Sequence, residues 1–190
     1  YISSQKITPM VAIHDSKVIQ PLEVYYAKSK NLIILHALAD VRGMEWEIAD
    51  ALIELYTQLK AKEVISLEGI LGQNKEMNSY YFTNDAKNKK ISKSKANLLK
   101  EGIIMGVTAA LLVKSNVTTT AIFADSASNL PDSKAAAAVI TVLDQYLGLK
   151  IDTKPLLETA KEFEEKLKSL MQQNITAQKE AEKKKMSYVG

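Results

Sequence analysis

The spacing of hydrophobic positions changes several times along the chain, and each change marks an element. Met10 to His14 is a short apolar run closed by the turn-like Asp15-Ser16-Lys17. Val18-Ile19, Pro21 and Leu22-Glu23-Val24-Tyr25-Tyr26 follow, a strand or hairpin pattern with Pro21 at a start or an edge. Leu32-Ile33-Ile34-Leu35 is continuously apolar, which predicts a strand covered on both faces. From Met44 to Leu59 the period becomes helical, with Ile48, Ala49, Leu52, Leu55, Tyr56 and Leu59 on one stripe. Val64-Ile65-Ser66-Leu67 returns to a strand, ending at Glu68-Gly69. Strand, helix and strand in that order predict a right-handed crossover onto a parallel sheet.

Gly72 to Asn97 reads as an exposed loop or excursion, with a short strand at Tyr80-Tyr81-Phe82 and lysines at 87, 89, 90, 93 and 95. Order returns at Ile103-Ile104-Met105-Gly106, and Val107 to Lys114 predicts a short helix. Thr118 to Ala124 is β-branched and apolar, hence a strand. Pro131-Asp132 opens a helix to Leu147, with Ser128 or Asn129 as the expected cap and Gly148 as its stop. A last helix starts at Asp152 or Thr153 with Pro155 just inside. Its residues Leu156, Ala160, Phe163, Leu167, Leu170, Asn174, Ala177 and Ala181 alternate by four and three, a heptad seam of about three heptads. Such a helix either lies on its own domain or pairs with another copy. The expected organisation is a domain over 1–150, a long helix over 151–185 and a short tail over 186–190.

Composition narrows the chemistry. The 190 residues carry a net charge of +3, too small to imply nucleic acid by itself. Cys is absent, which excludes disulfides, thiolate metal sites and cysteine nucleophiles. No apolar run approaches the ~20 residues of a membrane span, so neither a membrane nor a nucleic acid is an expected partner. An intracellular, cytoplasmic location is the expectation. No Gly-x-Ser-x-Gly elbow, P-loop or dinucleotide fingerprint occurs, and His14 and His36 both sit in apolar strand-like runs, where a structural or incidental role is expected.

The lysine cluster has no aromatic between its members to stack on bases, so a solvated loop is expected there. Asp125-Ser126 and the helix start that follows, with Glu68-Gly69, stand where α/β sheets hold ligands, beyond the carboxyl ends of parallel strands. Ordinary loop capping accounts for the same residues. The chain closes on Lys183-Lys184-Lys185 followed by Met186-Ser187-Tyr188-Val189-Gly190, the layout of a charged stalk delivering a tyrosine-bearing docking peptide.

Several stretches taken together are similar to one family. Glu63-Val64-Ile65-Ser66-Leu67-Glu68-Gly69, Gly102-Ile103-Ile104-Met105-Gly106 with Leu111-Leu112, and Leu130-Pro131-Asp132-Ser133-Lys134-Ala135-Ala136 resemble the archaeal proteasome assembly chaperones. Leu143, Leu147-Gly148-Leu149 and Ile151-Asp152 continue the likeness, which runs from about Pro9 to Leu170. The resemblance implies a three-layer α/β/α sandwich with a largely parallel or mixed sheet, plus the long C-terminal helix. That shape is similar to nucleoside phosphorylases without their catalytic equipment. It also implies no cofactor, a homo-oligomer, and docking on the α-subunits of the proteasome core particle. Docking in that family uses a C-terminal hydrophobic-Tyr-any residue motif, which makes Met186, Tyr188, Val189 and Gly190 the protein-binding candidates. Here Tyr188 is third from the end and Val189 holds the tyrosine place. Leu156, Phe163, Leu167 and Leu170 are the candidate oligomer seam. The family opens with a glycine-rich strand-helix unit, which is expected to precede Tyr1. The alternative to a non-enzymatic chaperone is a nucleoside-phosphorylase- or ligase-like enzyme using the crevice near Glu68 and Asp125, and a coiled-coil scaffold built on the last helix is a third reading.

Overall fold

The computed structural model describes residues 6–7, 11–71, 78–114, 116–126, 132–154, 157–158, 161–162 and 165. Two antiparallel hairpins come first. β1 (Ala12–His14) pairs with β2 (Lys17–Ile19), with His14 opposite Lys17. Asp15 and Ser16 form the two-residue link, both at positive φ (48° and 59°), the backbone that matches the twist of a tight hairpin. β3 (Leu22–Ala27) pairs with β4 (Leu32–Ala37) from Leu22↔Ala37 to Ala27↔Leu32. Their turn is closed by Asn31 in the left-handed region, which asparagine tolerates better than most residues.

Helix α1 (Glu45–Gln58) follows β4, and α2 (Gly106–Lys114) packs against it. β5 (Val64–Leu71), β6 (Ser79–Thr83), β7 (Asn97–Leu98) and β8 (Thr119–Ser126) form the central sheet in the order β5-β8-β6-β7. The sheet is mostly parallel and helix-flanked. β6 and β7 are parallel. The main-chain N–H of Val64 donates to Thr118 O at 2.8 Å, and Gly69 lies beside Ser126 near the other ends of the same strands. β5 and β8 therefore also run in one direction. β8 is buried along nearly its whole length, as a strand between two others should be.

The chain divides into two compact units, Tyr1–Ile65 with Glu101–Thr120, and Ser66–Lys100 with Ala121–Gly190. In the first unit, Leu22, Ala39, Met44 and Ile48 are buried together with Ile7, and Leu35, Val41, Leu52 and Val107 pack around them. A second cluster, Ala49, Ala110 and Leu111, joins α1 to α2. In the second unit, α3 (Ser133–Leu147) turns Ala135, Val139, Val142 and Tyr146 inward. Gly148 closes it in the left-handed conformation, its N–H bonding Asp144 O, the stop that glycine provides at no Cβ cost. The C-terminal helix begins at Lys154 and is described as far as Glu165. Asp152 Oδ1 accepts from Lys154 N at 3.1 Å, in agreement with the expected start.

Four expectations need correction. β4 does not share a sheet with β5, so strand, helix and strand are not a crossover within one sheet. β4 is not covered on both faces, since Ile33 and Ile34 are 43% and 48% exposed on opposite faces of the hairpin. A continuous apolar run signals that both faces avoid water, but it does not say what covers them. The stretch before Asn97 is not an excursion from the core. β6 lies inside the sheet with Tyr81 buried, and Ile91 is fully buried. Finally, the cap of α3 is Asp132, neither Ser128 nor Asn129. Its Oδ1 accepts from Lys134 N and Ala135 N, both at 3.0 Å. The competing signal was Pro131, read as the first helical residue when it precedes the cap.

Candidate functional site

Two features of the described residues stand out: a cleft in the second unit and exposed apolar surface in the first. The cleft, about 500 Å³, lies between the C-terminal half of β5 and the first turns of α3. Leu67, Ile70 and Leu71 form the strand wall, and Ala136, Val139 and Ile140 the helix wall. Its polar lining is Glu68, Ser126 and Asp132. Ser126 Oγ donates to Asp132 Oδ2 at 3.3 Å, while the other carboxylate oxygen caps the helix. The positive end of α3 is thus answered by its own aspartate.

The pair of acidic residues singled out in the sequence is not brought together in this cleft. Glu68 lines it, but Asp125 does not. Asp125 is buried at the end of β8, where its N–H donates to Asn78 O at 2.9 Å. Its Oδ2 accepts from Asn78 N at 3.2 Å and from Asn78 Nδ2 at 3.4 Å. That carboxylate ties the start of β6 to β8, the loop-anchoring role that competed with ligand binding in the sequence. Among the described residues no group of three or more His, Asp and Glu is placed to hold a metal. His36 is exposed on β4, opposite Glu23.

The five lysines of 87–95 are all exposed, as a solvated loop requires, yet the loop carrying them is fixed on α3. Asn88 Nδ2 donates to Tyr146 Oη at 2.7 Å, Lys95 N donates to Gln145 Oε1 at 2.9 Å, and Lys90 Nζ sits 5.6 Å from the Tyr146 ring centre. Lys90 over the tyrosine face is a cation–π contact.

In the first unit the hairpin β3–β4 presents apolar side chains on both faces. Val24, Tyr26 and Ile33 lie on one, Tyr25 and Ile34 on the other, and all five are exposed. Ile103 and Met105, in the segment before α2, are 93% and 75% exposed. A cavity of about 270 Å³ between the hairpin and α1 is lined by Leu22, Leu35, Ile48 and Leu52, with the Lys6–Glu47 ion pair at its mouth. Exposed apolar surface on this scale marks association in soluble proteins. Of these residues the sequence predicted Ile33 and Ile34 to be covered, because hydrophobicity alone does not tell a covered strand from an exposed one.

Comparison with known proteins places this arrangement. The sequence profile of the PAC2 family matches residues 1–171. The chain belongs to the PAC2 family. Among PAC2-like structures, Pyrococcus furiosus PbaA, an archaeal homologue of the proteasome-assembly chaperone, is 28% identical. It superposes with a TM-score of 0.72 over 96% of this chain and 79% of its own. P. furiosus PbaB, an archaeal proteasome activator, is 23% identical with a TM-score of 0.65, over 85% of this chain and 77% of its own. An uncharacterized protein of Methanocaldococcus jannaschii is 22% identical over all of this chain and 80% of its own length. The likeness to PbaB shows the fold alone. This PAC2 chain's tail candidates Met186, Tyr188, Val189 and Gly190, and its seam candidates Leu156, Phe163, Leu167 and Leu170, lie outside the described residues. No helix among those described is long and apolar enough to cross a membrane.

Proposed function

We propose that this PAC2 protein is a proteasome assembly chaperone-like protein of the cytoplasm, which self-associates and docks on the α-ring of the core particle without catalysis. The observation that carries the reading is the likeness to PbaA, 28% identical over 96% of the chain. The exposed hairpin and the Ile103–Met105 segment support association over chemistry. The use of Asp125 as a loop anchor takes one carboxylate away from the enzyme alternative.

In this reading the tail Met186–Gly190 enters a pocket of the α-ring, with Tyr188 as its aromatic anchor. The seam Leu156, Phe163, Leu167 and Leu170 packs copies together, so that several tails act at once. Linked weak contacts gain by effective concentration, about 10²- to 10⁴-fold over a single one. The test is a pull-down with proteasome α-subunits using the intact chain and a version ending at Lys185. Capture by the intact chain, lost in the shortened one, is the expected result. An intact chain that captures no α-subunit removes the proposal.

A further inference from the structure

Positive charge is spread unevenly along this chain. Residues 85–95 hold five lysines against one acidic residue, Asp85, and so carry +4, while the whole chain carries +3. Everything outside this stretch therefore balances to within one charge. The stretch links β6 to β7, at the opposite end of the strand order from β5. One turn of α3 holds it at both ends, Asn88 at Tyr146 and Lys95 at Gln145, so the chain between them is a loop closed at its base.

That loop is a fixed frame for its charges. Ile91 is wholly buried, and the hydroxyls of Ser92 and Ser94 donate to Lys89 O and Ile91 O at 2.9 and 2.7 Å. Lys90 has a task inside the fold, over the Tyr146 ring. The ammonium groups of Lys87, Lys89, Lys93 and Lys95 do not: all four residues are exposed, and among the described residues no carboxylate pairs with them. Asp85 turns a carboxylate oxygen to Lys87 N at 2.9 Å. Like charges gathered in one place repel one another and weaken a fold. A frame that collects them without a counter-charge of its own points to a counter-charge from outside.

We infer that this loop binds an acidic segment of a partner protein, with Lys87, Lys89, Lys93 and Lys95 meeting its aspartates and glutamates. Other polyanions fit the loop less well. Residues 84–95 include neither arginine, whose fork matches phosphate, nor an aromatic ring to stack on bases, and Tyr146 is buried with Lys90 over its face. A membrane surface would need an apolar side chain to insert beside the charges, and the loop buries its one large apolar residue, Ile91. A fixed backbone lowers the ordering cost of binding, and the charges steer and orient the acidic segment more than they tighten it. The inference is independent of tail docking, since it concerns another surface, and either can fail while the other stands.

The test follows the anisotropy of a fluorescein-labelled decapeptide alternating glutamate and serine, titrated with the full chain at low salt. A control peptide carries glutamine for glutamate. Lys89→Gln with Lys93→Gln removes two charges from the loop, and Lys60→Gln with Lys62→Gln removes two exposed charges elsewhere. Circular dichroism verifies that both double variants fold. Saturable binding of the acidic peptide is expected, about three- to tenfold weaker in the loop variant, unchanged in the other variant and lost for the glutamine peptide. Raising salt from about 0.05 M to about 0.5 M shortens the Debye length roughly threefold and should weaken binding as well. A short single-stranded DNA and vesicles of phosphatidylserine and phosphatidylcholine are run beside the peptide. Absence of saturable peptide binding, or equal losses in the two double variants, overturns the inference. So does a DNA or vesicle bound more tightly than the peptide and through the same lysines.

Discussion

Asp125 and Asn78 hold each other from both sides: the main chain of Asp125 donates to Asn78, and its carboxylate accepts from the main chain and side chain of Asn78. The arrangement joins β8 to the segment that leads into β6, and it uses a buried charge to do so. Asp125→Ala leaves the Asn78 N–H without this acceptor and should cost about 1–3 kcal/mol. Urea denaturation reads this as a lower midpoint at unchanged slope. A variant as stable as the parent would show that the carboxylate is dispensable to the fold and return it to the list of ligand-binding groups.

Asp132 offers a cleaner case, because a single oxygen accepts from both Lys134 N and Ala135 N. Asp132→Ala should destabilise the protein by about 1 kcal/mol, and Asp132→Ser should restore most of the loss. If Ser128 or Asn129 supplied the cap, changing those residues would have the effect and Asp132→Ala would not.

The extent of α3 and its glycine stop were legible in the sequence, because each depends on neighbours within a turn or two. The cap was misplaced by a few residues, since Ser, Asn and Asp all satisfy the same local rule. Ile91 was harder still. It stands among lysines and serines, so no local pattern marks it as apolar interior, and the distant Tyr146 and Gln145 on α3 hold the loop around it. The hairpin β3–β4 failed in the opposite way. Its residues were rightly read as strands, but Ile33 and Ile34 are exposed, and no local pattern says whether a strand's apolar faces are covered. Of the candidate site, Glu68 was placed correctly in a cleft and Asp125 was not, because a carboxylate at the end of a strand suits an anchor as well as a ligand.

Ile91→Ala therefore separates a solvated loop from a piece of core. Ile91 is wholly inaccessible, so its truncation should cost about 2–5 kcal/mol, whereas truncation of an exposed loop residue such as Lys93 should change stability by no more than about 0.5 kcal/mol. Thermal melting of the two variants side by side checks this. Equal melting temperatures would mean that the loop does not pack under α3.

On β3 the Tyr25 hydroxyl donates to Glu23. That hydrogen bond, aided by one from the Gln20 main chain, holds the Glu23 carboxyl below its usual range, and the same carboxylate pushes the Tyr25 phenol up. The lowered group contributes above its unfolded pKa and is lost as pH falls through its folded one. The raised phenol contributes below its unfolded pKa and is lost as pH rises through its folded one. The contact is intact between these limits. A titration that follows the Tyr25 ring should find its phenol deprotonating above the usual value of about 10, and Glu23→Gln should bring it back toward that value. An unchanged titration in the Gln variant would contradict the pairing.

Self-association makes the sharpest demand on the hairpin. Tyr26 and Ile33 face each other across β3 and β4 and are 61% and 43% exposed, more apolar surface than a lone two-stranded ribbon keeps in water without a partner. Replacing the pair by Tyr26→Lys and Ile33→Glu together leaves an attractive cross-strand contact, worth a few tenths of a kcal/mol, while it removes the apolar face. The double variant should keep its circular dichroism spectrum and sediment as a smaller species than the parent. A chain cut after Gly148 tests the helical seam in the same experiment. If seam and hairpin both hold the copies together, each change yields a smaller species; a hairpin variant that keeps the parent's size leaves the seam alone in that role, and a truncated chain that keeps it removes the seam. A parent that sediments as a monomer at every concentration removes self-association from the proposed function and leaves the hairpin to a different partner.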